Sequence, residues 1–247
     1  MCSATYKTVP GVKETHHIYH LTADRSDCKI VAGVDLTSNT ADFPVYSKLD
    51  EVLEPADVII DFSRPELLTD ILGYAAEHPG VSCVLCTTGY STEQVDALNA
   101  ASKTLPIFYS RNMSLGINLL VELSKKAAKV LGSEFDIEII EKHHNQKVDA
   151  PSGTAISLAN DIIDELEHKD EWVLSEADSA TELPIVAHRE GEVPGIHEVK
   201  YDSMVDTISI RHSAKSRKGF ALGAVIAAEY LIGKKGYYTM ADMLDLG

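Results

Sequence analysis

In the first part of the chain, short apolar runs alternate with segments whose apolar residues recur at helical spacing. The apolar runs have the length of buried strands and occupy residues 29–35, 58–62, 81–86 and 106–109. The helical segments are residues 65–78, where Pro65 suits a first turn, and residues 91–103, where Ser91 or Thr92 can cap the helix. Strands that alternate with helices predict a parallel sheet with right-handed crossovers.

The pattern changes after residue 112. Helical spacing continues at residues 117–131, 154–167 and 220–231, and strand patterns occur at residues 135–141, 185–189, 195–201 and 206–212. Residues 168–182 are polar and acidic and are predicted to be a surface connection. Strands separated by turns indicate an antiparallel or mixed sheet. We therefore predict two domains: an α/β domain with a parallel sheet (residues 1–112 and 218–247) and an α+β domain (residues 113–217).

Composition and charge narrow the classes of partner. The chain has 247 residues, 45% hydrophobic and 24% charged, which is ordinary for a globular protein with a core. Its net charge of −16 disfavours nucleic acid and an anionic membrane, although a local basic pocket can still bind an anionic substrate. No apolar run approaches the roughly 20 residues that span a bilayer, and the first residues lack the apolar core of a signal peptide. We expect a cytoplasmic protein.

Cys83 and Cys86 form a Cys-x-x-Cys pair, which can be a redox pair or half of a metal site. The residues around them make a short, mostly apolar run, as in a buried strand. No second Cys or His pair at ligand spacing lies nearby. Buried thiols are therefore favoured over zinc or redox chemistry, and no metal site is predicted.

Polar residues follow several predicted strands at the carboxyl ends, where ligands bind to parallel sheets. They are Asp35 and residues 61–63, 87–89 and 110–113. An acid at the position of Asp35 can accept hydrogen bonds from an adenosine ribose. The glycine-rich loop that usually accompanies it is missing, because no glycine lies between Gly11 and Gly33 and residues 1–22 show no apolar first strand. This absence argues against intact cofactor binding, since a Cβ keeps the backbone away from a pyrophosphate.

Residues 141–155 carry the most chemical information in the chain. His143 and His144 are adjacent, and histidine exchanges protons near neutral pH. Lys147 adds a cation, and the turn at residues 152–154 opens a helix whose backbone N–H groups suit an anion. Adjacent histidines are often only surface residues. The cation and the anion site beside them favour catalysis on a small molecule that bears carboxylates.

This segment resembles the signature of the dihydrodipicolinate reductase family, also called 4-hydroxy-tetrahydrodipicolinate reductases. The matching residues are Glu141, His143, His144, Lys147 and Asp149-Ala150-Pro151-Ser152-Gly153-Thr154-Ala155. Further blocks agree in order and spacing at residues 31–35, 61–66, 87–89, 112–118, 211–213 and 216–217. The resemblance covers residues 23–247. It implies a Rossmann-like cofactor domain and a homotetramer formed through the mixed sheet of the second domain.

The family reduces a cyclic dicarboxylic imine with NADH or NADPH in the diaminopimelate route to lysine. By resemblance, His143 is the proton donor and acceptor, and Lys147 is a second proton donor. The residues implied in substrate binding are His144, Gly153, Thr154 and Arg217. Those implied in cofactor binding are Asp35, Cys86, Thr87, Thr88, Ser110, Arg111, Asn112 and Met113.

Two alternatives to an active reductase stay open. One is a catalytically silent family member that lacks the glycine-rich loop but still folds, associates and binds the dicarboxylate. The other is an unrelated nicotinamide oxidoreductase on the same fold, against which the proton-donor motif argues. The sequence favours NADH slightly through Asp35 but does not rank the two cofactors.

Overall fold

The computed structural model describes residues 2–7, 13–23, 25–35 and 42–245. The chain divides into two compact units, which we name unit 1 (Met1–Leu115 and Lys218–Gly247) and unit 2 (Gly116–Arg217). The strands are β1 (Cys2–Lys7), β2 (Cys28–Val34), β3 (Val45–Tyr46), β4 (Val58–Asp61), β5 (Ser82–Leu85), β6 (Pro106–Tyr109), β7 (Asp136–His143), β8 (Glu171–Leu174), β9 (Glu182–Arg189), β10 (Ile196–Asp202), β11 (Thr207–Ser213) and β12 (Gly236–Tyr238). The helices are α1 (Lys13–Thr22), α2 (Leu68–Glu77), α3 (Thr92–Ala101), α4 (Leu115–Leu131), α5 (Gly153–Ile163), α6 (Lys218–Leu231) and α7 (Met240–Leu244). Short 3-10 helices are found at Leu49–Glu51, Pro65–Leu67 and Gly132–Glu134.

Unit 1 contains a seven-stranded sheet in the order β3-β2-β1-β4-β5-β6-β12, and neighbouring strands pair in parallel. This result confirms the predicted parallel sheet. Its first six strands have the order of a doubly wound dinucleotide-binding sheet, in which the direction of winding reverses between β1 and β4. Ligands bind to such sheets beyond the carboxyl ends of the strands at that reversal.

The prediction that residues 1–22 contain no first strand was wrong. β1 lies in the middle of the sheet, where Cys2–Lys7 pairs with β2 and residues 4–7 pair with β4. Backbone hydrogen bonds from two neighbours hold this strand although its sequence shows little apolar alternation, because tertiary context overrides weak local preference. α1 follows and places Ile18, which is fully buried, in the core. Residues 8–12, where a cofactor loop is expected, lie outside the described residues.

Both faces of the unit 1 sheet are covered. Alternate residues of β4 point to opposite faces, so Val58 and Ile60 belong to one core cluster and Ile59 to the other. The first cluster includes residues of α1 and α6, and the second includes residues of α2 and α3. Ser91 caps α3 as predicted, since its side chain accepts a hydrogen bond from the N–H of Gln94.

Unit 2 contains a five-stranded sheet in the order β11-β10-β7-β9-β8. β10 is antiparallel to both β7 and β11, whereas β7, β8 and β9 run parallel, so the predicted mixed sheet is confirmed. One face carries the core, to which α4 and α5 contribute. There the buried Tyr201 donates a hydrogen bond from its hydroxyl to the backbone oxygen of Ser124 at 2.6 Å.

The predicted surface connection at residues 168–182 contains the strand β8, so that prediction was incomplete. β8 pairs with β9 alone and ends the sheet, which explains why its four residues lack a strong apolar pattern. α5 ends at Ile163, earlier than the predicted residue 167. Among the described residues, no helix has the length and hydropathy that a membrane crossing requires.

The expectation of buried thiols is confirmed for the Cys-x-x-Cys pair. Cys83 and Cys86 are free and buried. Burial, with a smaller effect of the Asp61 charge, raises the pKa of Cys83 to about 12 and raises the pKa of Cys86 well above its usual value. Such thiols stay protonated and are poor nucleophiles or redox groups.

Candidate active site

The end of β7 brings two titratable side chains to the core-facing side of the unit 2 sheet. Residues of β7 alternate between buried and half-buried positions, and Glu141 and His143 follow Ile137 and Ile139 on the buried face. The strand ends at His143, and residues 144–152 lead from it to α5. The proton-donor candidate is therefore anchored in a strand rather than in a loop.

Glu141 is fully buried and accepts hydrogen bonds from three directions. The donors are Nδ1 of His143, the N–H of Ser152 at 3.2 Å and Nη2 of Arg189 at 2.9 Å. Burial opposes ionisation, but the hydrogen bonds from His143 and Arg189 outweigh it and lower the pKa of Glu141. An ionised carboxylate only accepts hydrogen bonds. An ionised Glu141 therefore favours the proton on Nδ1 of His143, which would leave Nε2 for chemistry.

There is little space around the Nε2 atom of His143. His143 is 8% exposed, and its ring meets the ring of His197 edge-on, with 5.2 Å between centroids. A Cβ added to Gly195 would lie 3.1 Å from Nε2 of His143. Glycine at this position therefore keeps the space beside Nε2 open.

His197 was not found by the sequence analysis. It lies on β10 directly opposite Glu141 and is 4% exposed. Its Nε2 is 3.2 Å from the hydroxyl of Ser152. Burial, and then the charge of His143, lower the pKa of His197 to about 4. His197 is thus neutral near pH 7 and adds no second positive charge beside His143.

Glu141, His143 and His197 are also a group whose ligand atoms all lie within 4.8 Å of one another, as a metal site requires. Two imidazoles and one carboxylate match the donor types that zinc prefers. However, the guanidinium of Arg189 lies 2.9 Å from Glu141 Oε1 and would repel a cation there. Glu141 also already accepts the proton of His143 Nδ1. These contacts therefore favour a hydrogen-bonded cluster of Glu141, His143 and His197 over a metal site.

Lys147 lies in the loop between β7 and α5. Its Nζ donates to both carboxylate oxygens of Asp149 at 2.8 Å, and this hydrogen bonding lowers the pKa of Asp149. The N–H of Lys147 donates to the backbone oxygen of His144, which is half-buried. Arg189 donates to the backbone oxygen of Asp149 at 2.5 Å. The loop that carries the second proton-donor candidate is therefore fastened to β9.

The first turn of α5 is a candidate site for an anion, and it follows this loop in the chain. Ser152 caps the helix, and its hydroxyl accepts from the N–H of Ala155 at 3.2 Å. Gly153 is the first residue of α5, and the backbone N–H groups of a helix's first turn point along the helix axis towards its N-terminus. A Cβ added to Gly153 would meet nothing within 4 Å, so there is space for a ligand atom at this position. A carboxylate suits such a helix start.

In unit 1, predicted cofactor residues lie at the carboxyl ends of parallel strands. Asp35 directly follows β2 and is buried, and Ser110 directly follows β6. The fully buried Asp61, at the end of β4, accepts from the hydroxyl of Thr87 at 2.8 Å and from the N–H of Ser63 at 2.9 Å. Asp61 thus joins the ends of β4 and β5.

The segment after β6 is held by its own side chains. Ser110 Oγ donates to the backbone oxygen of Asn112 at 2.7 Å, and Asn112 Oδ1 accepts from the N–H of Ser114 at 2.9 Å. The side chains of Cys86 and Met113 are buried in the core of unit 1. Any contact that these two make with a cofactor would therefore come from the backbone.

The remaining predicted residues lie nearer the surface. Thr88 and Arg111 are exposed in unit 1, and Arg217 is exposed at the last position of unit 2, just before α6. The structure thus brings His143, His144, Lys147, Gly153 and Thr154 into one region of unit 2. It places the predicted cofactor residues in unit 1.

Comparisons with known proteins agree on one family. The family models "Dihydrodipicolinate reductase, N-terminus" and "Dihydrodipicolinate reductase, C-terminus" match residues 12–113 and 116–244. The 4-hydroxy-tetrahydrodipicolinate reductase of Caldanaerobacter subterraneus subsp. tengcongensis is 47% identical, with 92% of each chain covered. That of Clostridium tetani is 44% identical, with 92% of this chain and 91% of the relative covered.

A solved structure has the same fold. The dipicolinate-bound dihydrodipicolinate reductase from Paenisporosarcina sp. TG-14 superposes with a TM-score of 0.83, 21% identity and 98% of each chain covered. Its similarity extends over both units. The matches to both family models and the sequence identities above show that the chain belongs to the dihydrodipicolinate reductase family.

Proposed function

We propose that this protein reduces 4-hydroxy-tetrahydrodipicolinate to tetrahydrodipicolinate with NADH or NADPH, in the diaminopimelate route to lysine. The observation that supports this most directly is the arrangement at the end of β7. His143 contacts the buried Glu141, and the residues that follow in the chain are the loop with Lys147 and the start of α5. One short segment therefore offers a proton donor, a cation and a site for a carboxylate.

The reaction requires a proton as well as a hydride. Loss of the 4-hydroxyl group as water gives a conjugated cyclic imine, and a bound nicotinamide cofactor would supply the hydride that adds to its conjugated carbon. The product of that addition is an electron-rich enamine, which must gain a proton. His143 would donate the proton from Nε2, since its Nδ1 is hydrogen-bonded to Glu141. Lys147 would stabilise the developing negative charge and act as the second donor. General acid catalysis of this kind typically contributes roughly 10²–10⁴-fold.

The substrate would be oriented by its carboxylates. Gly153 and Thr154, at the start of α5, would hold one carboxylate, and the absence of any atom within 4 Å of a Cβ added to Gly153 supports this role. His144 and Arg217 would provide further contacts. A protein of similar fold binds dipicolinate, which is also a ring dicarboxylate. This agreement supports a small dicarboxylate as the substrate class.

Unit 1 fits a nicotinamide dinucleotide in its strand order and in the acid at the end of β2. Asp35 would accept hydrogen bonds from the ribose and favours NADH, because a 2′-phosphate beside a carboxylate is repelled. The backbone of Cys86, Thr87 and Thr88 and the segment from Ser110 to Met113 would line the nicotinamide side. The protein would act in the cytoplasm as a homotetramer assembled through the mixed sheet of unit 2.

The test follows the oxidation of NADH and of NADPH by the purified protein with freshly generated substrate. We expect turnover, and we expect Lys147→Ala to lower kcat by roughly 10²-fold, in the range of a lost proton donor. The free energy of unfolding should stay unchanged, because the partner of Lys147, Asp149, is 58% exposed. Lys103→Ala, an exposed position in unit 1, is the control for loss of a lysine.

The outcomes separate the alternatives. Absence of turnover with either cofactor, while the dicarboxylate still binds, would identify a catalytically silent family member. Unchanged kcat in Lys147→Ala would remove Lys147 from its proposed role.

A further inference from the structure

We propose that Glu141, held in place by Arg189, is the positioning residue that fixes which nitrogen of His143 faces the substrate. The catalytic consequence of this arrangement rests on the proposed function. The arrangement itself, a buried carboxylate that selects one tautomer of a histidine, is independent of any substrate. Neither Glu141 nor Arg189 was assigned a role by the sequence analysis.

The sheet register explains how these side chains meet. On β9, Arg189 is the direct neighbour of His143, and Ala187 is the neighbour of Glu141. The small side chain of Ala187 leaves room for the guanidinium to turn back along the strand towards Glu141, which it reaches at 2.9 Å. The same Nη2 donates to the backbone oxygen of Asp149. One arginine therefore links the carboxylate behind His143 to the loop that carries Lys147.

Glu141 has no contact with water that could replace these bonds, since the residue is fully buried. Its Oε1 is occupied by Ser152 and Arg189, and its Oε2 faces His143 Nδ1. The carboxylate cannot rotate without breaking bonds to all three donors. A fixed, ionised acceptor at Nδ1 favours the tautomer with the proton on that nitrogen.

The other charged or titratable groups near His143 do not take over this task. From β10, His197 is neutral near pH 7 because burial lowers its pKa to about 4. From β11, His212 lies opposite His197, and burial lowers its pKa too. Arg189 from β9 and Lys147 from the loop are positive, and the charge of Asp149 is paired with Lys147. Within the part of the chain that the structure describes, Glu141 is thus the negative group in contact with His143.

The first experiment compares Glu141→Gln with the wild type. Glutamine keeps the size and one acceptor oxygen but removes the charge. We expect kcat to fall by roughly 10²-fold, the scale of a general acid contribution. We expect KM to change by less than about threefold, because no substrate contact is removed. Glu171→Gln, at an exposed position of the edge strand β8, is the control for loss of a carboxylate.

The second experiment needs no substrate. ¹⁵N NMR of protein labelled at histidine distinguishes the two tautomers. We expect the wild type to carry the neutral His143 proton on Nδ1, and Glu141→Gln to carry it on Nε2. Glu141→Asp, which keeps the charge, should retain the Nδ1 tautomer and serves as the second variant if Glu141→Gln does not fold.

The outcomes are distinct. A wild-type His143 with its proton on Nε2 would overturn the inference. So would a Glu141→Gln protein with lowered kcat but an unchanged tautomer of His143, since Glu141 would then act only through stability. A wild type that shows the Nδ1 tautomer but no turnover would refute the proposed function and leave the positioning role intact.

Discussion

At the scale of single residues, the neutral His197 makes stability depend on pH. Its pKa is lowered from 6.5 to about 4 by burial and by the charge of His143. The unfolded chain therefore takes up this proton at higher pH than the folded chain does. The free energy of unfolding therefore decreases as the pH falls from 6.5 towards 4. The total decrease due to His197 is at most about 3 kcal/mol. The lowered pKa of Glu141 acts in the same direction, but only below its unfolded value of 4.5.

We predict that His197→Gln weakens this dependence. Between about pH 7 and about pH 5, the wild type should lose about 2 kcal/mol more unfolding free energy than the variant does. Urea denaturation at the two pH values measures the difference. His188→Gln, which replaces an exposed histidine of β9, should lose as much unfolding free energy between the two pH values as the wild type does. Equal losses in His197→Gln and the wild type would contradict the prediction.

The sequence alone could bring part of the site together. His143, Lys147, Gly153 and Thr154 lie in one short segment, so a strand, a loop and a helix start suffice to make them neighbours. Arg189 and His197 come from strands much further along the chain. Only the register of β9 and β10 against β7 brings them to Glu141, and periodicity does not encode register between distant strands.

At the scale of elements, the packing of α6 depends on one glycine. A Cβ added to Gly223 would lie 1.7 Å from the backbone oxygen of Met113, which cannot move as a side-chain end can. Alanine gains about 1 kcal/mol in helix propensity over glycine, but a clash with backbone costs more, typically about 1–3 kcal/mol or above. The close approach of α6 to the segment before α4 therefore requires glycine.

We predict that Gly223→Ala lowers the free energy of unfolding by more than about 1 kcal/mol. Gly73→Ala, in the middle of α2, is the matched control because an added Cβ there meets nothing within 4 Å. That variant should be more stable than the wild type by about 0.5–1 kcal/mol. Urea denaturation checks both, and a shift of the two variants in the same direction would refute the packing argument.

The strands of the two sheets show which elements can be recognised from the sequence. β4, β5 and β6 are buried on both faces, so their apolar runs could be recognised directly. β1 and β8 were missed or misread for different reasons. β1 is stabilised by pairing on both sides, and β8 is a short edge strand with one partner. Both strands are held mainly by backbone hydrogen bonds to other strands. Such bonds do not require a particular order of apolar and polar residues, so the sequence does not reveal them.

At the scale of the whole molecule, the mixed sheet of unit 2 has a second face that suits assembly. Ile140 and Val186 are direct neighbours across β7 and β9, half-buried on the side opposite the core. We predict a mass of four times 26.9 kDa by sedimentation, and a lower mass for Val186→Asp, because a charge in an apolar interface is costly. Val130→Asp, at an exposed position of α4, should leave the mass unchanged. A monomeric wild type, or a Val186→Asp protein of unchanged mass, would contradict this mode of assembly.

The division of the chain has a consequence for its synthesis on the ribosome. Unit 2 is one continuous stretch, whereas unit 1 combines Met1–Leu115 with Lys218–Gly247. Until α6 has been translated, the cluster that contains Val58, Ile60 and Phe108 lacks the residues that α6 contributes. The nascent polypeptide therefore exposes this apolar surface while unit 2 is translated and folds. During that interval, chaperones can bind the surface, or it can associate with other chains.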